Sequence, residues 1–386
     1  MRKVIALFFA LMCLTALSFA EEELELEDML SGADPDIVAQ TYIAPPSESD
    51  DFEMLEDEGE PSIYEKDGSI LITITAGGDF TIGRDVRKRA DIFGDELEKQ
   101  GGDINFIFKN ISDVLHQDDL TILNFEGTLT ESSYIPSEKR ENQFLFSAPP
   151  AWVEVLPNHS VEAVALENNH VMDHGADALA DTKAALSGAG VVYSTGTELG
   201  VIDVKGVQIA MLSYLTIDRY DELWDVVPQD IANAKRFYPI VIVSFHWGNE
   251  TWYYPTDNQV KMGHLAVDSG ADLVLGHHSH RINPIEQYKG KYICYSLGNF
   301  CFAGNSKPSD MSSFLFQTRF RLKDGEITNE GFRIIPIRIS SRTDRNDFVP
   351  TVLTKENAID AVVSTLKENG KRLDYAVDEY PLEWAD

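Results

Sequence analysis

The sequence predicts an α/β protein with an at least partly parallel sheet. From Ile70 onward, short runs rich in β-branched residues alternate with stretches of helical periodicity, a pattern typical of βαβ units. Asp, Glu, Asn and His residues follow several of the β-type runs immediately. In an open α/β sheet, the carboxyl ends of the strands meet at one crevice where ligands bind. The two patterns together predict one polar, metal-binding pocket.

The first twenty residues have the parts of an export signal. Arg2 and Lys3 supply a positive start, residues 4–17 are apolar, and Ser18-Phe19-Ala20 offers the small-x-small pattern that a signal peptidase accepts. The apolar run is short for a membrane span. We therefore predict a signal peptide over residues 1–20 and a secreted or envelope-facing, extracytoplasmic protein. The alternative is an uncleaved N-terminal anchor.

An acidic stretch follows the signal. Residues 21–60 carry 16 acidic side chains, three prolines and no Lys or Arg. Self-repulsion and sparse apolar residues oppose a packed element, so we predict a disordered linker over residues 21–67. The whole chain has a formal net charge of −32, and the part after residue 60 has 30 basic and 48 acidic side chains, a net charge near −18. Such a surface repels nucleic acid, which argues against nucleic-acid binding.

The remaining length suits one large domain with an addition. We predict the domain over residues 68–340 and a C-terminal extension over residues 341–386 that packs on it. Cys294 and Cys301 are the cysteines that remain after signal cleavage. They are too few for a disulfide framework, so we favour free thiols over a single bridge between them.

The elements of this domain are assigned from the period of the apolar residues. Two pairs of β-type runs, each joined by a short turn containing Lys-Gly, predict hairpins. The hairpins pair residues 201–204 with 207–213, and 282–288 with 292–296. The other predicted strands are residues 70–76, 120–124, 161–166, 240–245, 272–275, 314–322 and 331–339. The predicted helices are residues 103–116, 175–187, 258–269 and 358–369.

Two acidic side chains lie at the ends of early strands. Asp79 follows residues 70–76, and Glu126 follows residues 120–124. Carboxylates at neighbouring strand ends can bind one cation. The alternative is that each of them caps a helix or a turn.

Histidines follow two later strands. His246 comes directly after residues 240–245, and Trp247-Gly248 turns the chain at once, which places His246 at the rim of the sheet. His278 and His280 follow residues 272–275, and an extended chain would direct both imidazoles to the same side. The alternatives are a hydrogen-bonded core histidine at 246 and solvated loop histidines at 278 and 280.

The segment Asn168-Asn169-His170 follows the run at 161–166. The amide oxygen of Asn169 is a modest metal ligand, and the adjacent imidazole of His170 can act over a bound substrate as an acid or as a cation. Asp173 can orient His170 through its ring N–H. The alternative is a turn rich in Asn, a residue that tolerates left-handed backbone.

Six ordered segments between residues 77 and 302 resemble the CapA (PGA-cap) family, which lies in the calcineurin-like metallophosphoesterase superfamily. The matching segments are Gly78-Asp79-x4-Arg84, Asn124-x-Glu126-Gly127, Asn168-Asn169-His170-x2-Asp173-x-Gly175, His246-Trp247-Gly248-x-Glu250, Gly276-x-His278-x-His280 and Tyr295-Ser296-Leu297-Gly298-Asn299-Phe300. Any one of these segments alone is a weak signal. Their shared order makes the resemblance specific.

The resemblance implies a four-layer αββα sandwich of two mixed sheets flanked by helices, with metal at the sheet edge. It implies that His170, which Asp173 can orient, acts near the transition state and that Arg84 holds an anionic group. The metal ligands implied by position are Asp79, Glu126, Asn169, His246, His278 and His280.

Two positions depart from the wider superfamily. Phe80-Thr81 follows Asp79 where Asp-x-His is usual, and Asn124-x-Glu126 stands where Gly-Asp usually supplies a bridging carboxylate. The number of metal ions in the site, one or two, is therefore left open. Carboxylate, amide and imidazole donors without thiolate suit Mn, Fe or Zn.

Two functions follow from the sequence. The first is a metal-dependent, phosphoesterase-type hydrolase acting on an anionic small molecule or polymer. The second is a non-catalytic polymer-binding or export scaffold with a degenerate metal site. The resemblance implies a role in the synthesis or export of the capsule polymer poly-γ-glutamate, with membrane-bound synthesis partners. The acidic body opposes a broad cationic groove, so a polyanion would be held locally, through the metal and Arg84.

Overall fold

The computed structural model describes residues 62–137, 143–217 and 219–385. The predicted signal peptide and the predicted linker up to residue 61 lie outside these ranges. The end of the predicted linker is already attached to the folded body, because Tyr64 forms a β-bridge with Ile70 and Lys323 Nζ donates a 2.9 Å hydrogen bond to Asp67 Oδ2. In the ranges described, no helix has both the length and the apolar character needed to cross a membrane.

Runs of β-branched and aromatic residues form the strands. In chain order they are β1 (Ile70–Thr81), β2 (Arg84–Asp85), β3 (Leu120–Phe125), β4 (Thr128–Leu129), β5 (Phe146–Ala148), β6 (Ala163–Ala165), β7 (Val192–Ser194), β8 (Gly200–Val204), β9 (Val207–Leu215), β10 (Ile240–His246), β11 (Leu273–His277), β12 (Ile285–Tyr288), β13 (Lys291–Cys294), β14 (Asn299–Phe302), β15 (Ser312–Lys323), β16 (Glu326–Arg338) and β17 (Thr351–Val352).

The helices connect these strands. In chain order they are α1 (Ile92–Lys99), α2 (Ser112–Leu115), α3 (Gly175–Gly188), α4 (Tyr220–Leu223), α5 (Val226–Lys235), α6 (Asp257–Asp268) and α7 (Glu356–Gly370). Short 3-10 helices occupy Ile104–Phe108, Pro150–Val155 and Pro157–His159. A capping box begins α6, because the Thr256 hydroxyl accepts from the Gln259 backbone while the Gln259 side chain accepts from the Thr256 backbone.

Two mixed sheets contain most of the strands in the described part of the chain. The first has the order β17–β16–β15–β1–β3–β6–β7, with β14 beside the end of β1. It is parallel from β1 to β7 and antiparallel from β1 to β17. The second has the order β12–β13–β11–β10–β9–β8 and is parallel from β13 to β9. A small sheet, β2–β5–β4, lies beside them.

The sheets pack face to face and carry helices on their outer faces. Ile72 of β1 and Ile242 of β10 belong to one buried cluster between the sheets. On the outer face of the first sheet, Leu123 of β3 packs in a cluster with Leu186 of α3. On the outer face of the second, alternate residues of β10 such as Val243 pack with α5 and α6. Strands buried on both faces read as continuous apolar runs.

The predicted four-layer αββα sandwich is therefore confirmed. The elements differ in detail, since β1 continues to Thr81 rather than ending at residue 76, and α1, α5, β7 and β14 were not predicted. The single helix predicted over residues 103–116 is wrong. Its apolar residues do enter the core, but the Asp103 side chain caps a 3-10 helix, and α2 follows separately.

The C-terminal residues pack on the domain. Phe348 and Val349 lie in the core of the first sheet, and Leu366 of α7 lies in the core between the sheets. Near the end of the chain, Pro381 O accepts a 2.8 Å hydrogen bond from Ile334 N. Cys294 and Cys301 are buried and unbridged, which confirms the free thiols.

β1 changes its partner strand just before Asp79. It pairs with β15 up to Ala76 and with β14 from Asp79 onward, with Gly77-Gly78 between the two. A Cβ atom on Gly78 would lie 2.1 Å from Gly298 O, a distance that real Cβ atoms do not show. Only glycine therefore allows the close approach that lets Asp79 N donate to Gly298 O at 2.9 Å.

Gly78→Ala should destabilise the protein by about 1–3 kcal/mol or more, because the added methyl group overlaps backbone atoms that cannot move aside. The measurement is the urea-unfolding midpoint. Gly188→Ala is the matched control, because its Cβ at the end of α3 meets open space, and its change should stay within about 0.5 kcal/mol. Equal midpoints for the two variants would contradict this account of Gly78.

Candidate metal centre

The candidate metal centre lies where strands of both large sheets end. β1 contributes Asp79, and β3 is followed directly by Glu126. From the second sheet, β10 ends at His246, and the loop after β11 carries His278 and His280. Ligand-type side chains from segments far apart in the chain are thus brought to one edge.

Asp79, Glu126 and His280 form the innermost group. One ligand atom from each lies within 4.8 Å of the others, a spacing that a single cation can bridge. His280 Nδ1 lies 3.1 Å from Asp79 Oδ2, and His280 Nε2 lies 4.0 Å from Glu126 Oε1. Both carboxylates are 0% exposed.

Two more imidazoles face Glu126. His246 Nε2 lies 3.6 Å and His170 Nε2 lies 3.8 Å from Glu126 Oε1. These distances are too long for hydrogen bonds, and among the described residues neither Glu126 oxygen has a hydrogen-bond partner. A buried carboxylate without such partners is costly, and a cation among these atoms would satisfy it. The buried His246 Nε2 and His278 Nδ1 also have none. The residues present therefore fit a divalent metal ion.

His278 lies beside the inner group. Its ring centroid is 4.8 Å from that of His246 and 6.1 Å from that of His280. The extended backbone predicted for this segment is wrong, because His278 has φ 88° and His280 has φ 53°. Left-handed residues other than glycine are uncommon and cluster at functional sites. A tight turn, rather than strand alternation, directs both rings inward.

His277 also reaches the site, although the sequence reasoning passed over it. Its Nδ1 lies 3.5 Å from Asp79 Oδ1, and its side chain is 1% exposed. The neighbouring Gly276 is needed for close packing rather than for a turn, because a Cβ there would lie 2.1 Å from Tyr295 O. Three histidines in four positions gave no sequence signal for which of them faces Asp79.

Asparagine side chains hold the inner group in place. Asn124 Nδ2 donates to Asp79 Oδ1 at 2.9 Å, and Asn168 Nδ2 donates to Phe125 O at 2.7 Å. Asn299 Oδ1 lies 2.9 Å from His280 Nδ1, the nitrogen that also faces Asp79. Because both neighbours of Nδ1 are acceptors, Nδ1 carries a proton and Nε2 is the nitrogen of His280 left for a metal.

The loop after β6 supplies the remaining predicted residues. His170 Nδ1 lies 2.7 Å from Asp173 Oδ2, which also accepts from Phe146 N at 2.8 Å. Asn168 Oδ1 accepts from His170 N at 3.0 Å. Asn169 lies between these two residues and is half-buried. Asp173 and His170 are thus in contact, and Nε2 of His170 is directed towards Glu126.

Arg84 lies apart from this cluster. In the small sheet Arg84 pairs with Ser147, while the adjacent Phe146 packs against the His170 ring with centroids 4.9 Å apart. Successive strand residues point to opposite faces, and paired residues share a face. Arg84 therefore points away from His170 and lines a separate cavity of about 630 Å³ together with Trp152. The structure does not bring Arg84 to the candidate metal ligands.

Burial and close charges shift the pKa values of the site. Burial raises the pKa of Glu126 to about 7, and the charge of Asp79 adds to the effect. Burial acts to raise the pKa of Asp79 as well, but the close imidazoles of His277 and His280 outweigh it and hold that pKa well below its usual range.

The pKa values of the imidazoles are also shifted in opposite directions. Burial lowers the pKa of His246 well below its usual range and, with the charge of His280, lowers that of His278 to about 3. Burial also acts to lower the pKa of His280, but Glu126 and Asp79 raise it to about 10. Neutral imidazoles at 246 and 278 are ready to donate a lone pair to a metal.

Glu250 is a second residue that sequence reasoning did not assign as a ligand. Its carboxylate, one nitrogen of His278 and one of His280 all lie within 4.8 Å of one another. The segment His246-Trp247-Gly248-x-Glu250 was the available signal, but spacing alone did not show that the loop after β10 returns to the site.

The fold and the site together define a four-layer α/β protein with a carboxylate–imidazole cluster, suited to a divalent cation, at the carboxyl ends of its strands. A profile of the bacterial capsule synthesis protein PGA_cap family matches residues 73–304, and the chain belongs to this family.

Curated relatives carry related names. The PGA biosynthesis protein CapA of Bacillus subtilis is 31% identical over 246 residues, covering 58% of this chain and 62% of that protein. The capsule biosynthesis protein CapA of Bacillus anthracis is 28% identical over 254 residues, covering 60% of each. A probable polyglutamine synthesis accessory protein of Mycobacterium tuberculosis is 32% identical over 212 residues, covering 47% of this chain and 55% of that protein. The chain thus spans less than two thirds of each relative.

Two solved structures are weakly similar. A novel phosphatase of Mycoplasma pneumoniae superposes with a TM-score of 0.42 and 13% identity, covering 72% of this chain and 95% of that one. The calcineurin-like phosphoesterase YfkN of Bacillus subtilis gives a TM-score of 0.41 and 17% identity, covering 78% of this chain and 99% of that one. These scores are too low to define the fold, which rests on the sheet order and packing above.

Glu126→Gln should weaken Mn²⁺ or Zn²⁺ binding at least about tenfold, because it removes a buried anionic donor. The metal-free variant should be at least as stable as the metal-free wild type, since burial raises the pKa of Glu126 to about 7 and so disfavours its charged form. Metal content by mass spectrometry and thermal unfolding in chelator measure the two effects. A less stable metal-free variant with unchanged metal content would instead assign Glu126 a structural role.

Proposed function

We propose that the protein is a metal-dependent hydrolase of the phosphoesterase type. The observation that carries the proposal is the buried Glu126 carboxylate, which lacks hydrogen bonds among the described residues and is faced by imidazole nitrogens at 3.6–4.0 Å. The metal would be held by Asp79, Glu126, Asn169, His246, His278 and His280. A bound Mn, Fe or Zn ion supplies a water of lowered pKa, towards about 7, and stabilises charge that develops on the substrate.

His170 is the proton carrier in this proposal. Asp173 Oδ2 accepts from both His170 Nδ1 and Phe146 N, so it holds the ring in one orientation and keeps the Nδ1 proton on the side away from the metal ligands. His170 Nε2 then faces Glu126 and the space where a substrate would lie. When both ring nitrogens are protonated, Nε2 can donate its proton from there to the leaving oxygen of a phosphoester, and the ring is left neutral with its Nδ1 proton in place.

The proposed biological role is in the synthesis or export of an anionic capsule polymer of the poly-γ-glutamate type. Membership of the capsule synthesis family and the names of the relatives support this role. We place the protein outside the cytoplasm because of the predicted signal peptide, and we propose membrane-bound synthesis partners because of its family membership. The net charge near −18 outside that signal and the acidic stretch opposes broad binding of a polyanion, so contact would be local to the metal.

His170→Ala should lower kcat about 10²–10⁴-fold, because the general acid is lost. Asp173→Asn should cost about 10–100-fold, because the ring keeps its place but loses its oriented proton. The assay is hydrolysis of p-nitrophenyl phosphate and bis-p-nitrophenyl phosphate by Mn²⁺-loaded protein. His116→Ala is the matched control, an exposed histidine directly after α2 that contacts Ser112, and it should leave the rate unchanged.

A different outcome separates the scaffold from the hydrolase. Stoichiometric metal without turnover of either ester, together with metal-dependent retention of poly-γ-glutamate, would favour the non-catalytic polymer-binding protein. Equal loss of activity in His116→Ala and His170→Ala would show that the rate reports folding rather than proton transfer.

A further inference from the structure

The loop that follows β10 brings an acidic side chain back to the metal centre. Glu250 is exposed, yet its carboxylate lies within 4.8 Å of one ring nitrogen each of His278 and His280. His278 Nδ1 is buried and has no hydrogen-bond partner among the described residues. His278 as a whole is 6% exposed. An exposed carboxylate therefore lies beside an imidazole whose buried Nδ1 has no hydrogen-bond partner among the described residues.

The loop is fastened to the segment that carries these histidines. Thr251 N donates to Ser279 O at 2.7 Å, and Asn283 Nδ2 donates to Trp252 O at 2.9 Å. Trp247 N also reaches His277 O at 3.4 Å. Because backbone bonds lie on both sides of Glu250, the position of its Cα is set by the fold even though its side chain is exposed.

A polar cavity of about 620 Å³ opens on this group. Glu250 and His278 line it together with the hydroxyl and amide residues Thr256, Asn249 and Asn258. Its lining includes a second carboxylate, Asp221 of α4, but no Lys or Arg among the described residues. A cation in this cavity therefore meets favourable charge.

We propose that Glu250 is a metal ligand, binding a divalent cation together with His278 on the cavity side of the centre. The proposal rests on the metal centre of the proposed function and adds to it a donor from a further segment of the chain. Carboxylate oxygen and neutral imidazole nitrogen are donors that Mn²⁺ and Zn²⁺ accept together. Asp221 lines the same cavity as Glu250 and carries the same charge. It is not part of the group that Glu250 forms with His278 and His280.

This difference supplies a matched experiment on the full chain. Mn²⁺ binding is measured by calorimetry, and the bound ion by electron paramagnetic resonance, in wild type, Glu250→Gln and Asp221→Asn. Glu250→Gln should raise the Mn²⁺ Kd at least about tenfold and change the spectrum of the bound ion, as loss of a donor does. Asp221→Asn removes the same charge from the same cavity and should raise the Kd less than about threefold, with an unchanged spectrum.

A double substitution tests whether Glu250 and His278 hold the same ion. If they do, Glu250→Gln combined with His278→Ala should weaken binding by less than the product of the single effects. Equal Kd values for Glu250→Gln and Asp221→Asn with identical spectra would overturn the proposal, because Glu250 would then act only through its charge. Failure of the wild type to bind Mn²⁺ or Zn²⁺ would overturn the metal centre itself, whereas a binding wild type with an unaffected Glu250→Gln variant overturns this inference alone.

Discussion

Keeping two carboxylates out of water is the constraint that shapes the rest of the site. Asp79 and Glu126 are both fully buried. Transferring a carboxylate ion from water into a protein interior costs on the order of several kcal/mol of free energy. Asp79 recovers part of that cost from Asn124 and from imidazoles. Glu126 has imidazoles at distances too long for hydrogen bonds. The cost of burying Glu126 is therefore not compensated by the protein, and a bound cation would compensate it.

The two large sheets position the residues of the metal centre. β1 and β3 run parallel with Asp79 opposite Asn124, so ladder hydrogen bonds fix the position of Asp79. Glu126 follows β3 directly, and its backbone N–H donates to Phe80 O at 3.0 Å. β10 and β11 present His246 and His277 as a paired couple in the second sheet. Rigid elements of this kind hold ligating atoms more closely than loops can.

Much of this arrangement is encoded in patterns that can be recognised directly. Alternation of β-type runs with helical stretches identifies the fold class, and polar residues after those runs identify Asp79, Glu126, His246, His278 and His280. The positive φ values of His278 and His280 have no local signal, because Ser279 and its neighbours carry no glycine. Glu250 depends on how a loop returns in space, which residue spacing does not report. Arg84 shares a motif with Asp79, but the small sheet turns it to the other face.

The 3-10 helix at Ile104–Phe108 shows a second limit of sequence patterns. Its apolar residues have the spacing of an α-helix and enter the core accordingly. The Asp103 carboxylate, however, accepts from Asn105 N and favours the tighter turn at that point. Apolar spacing predicts which side chains are buried, whereas a single polar contact decides which backbone hydrogen bonds form.

The small sheet has a consequence for how this protein tolerates change. Phe146 and Ser147 are neighbours in one short strand, but one touches the ring of His170 and the other lines the chamber that contains Arg84. A single strand, β5, thus separates the site around His170 from the cavity that contains Arg84. Substitutions at alternate positions along this strand can therefore change the cavity that contains Arg84 while leaving the side chains that face His170 unchanged.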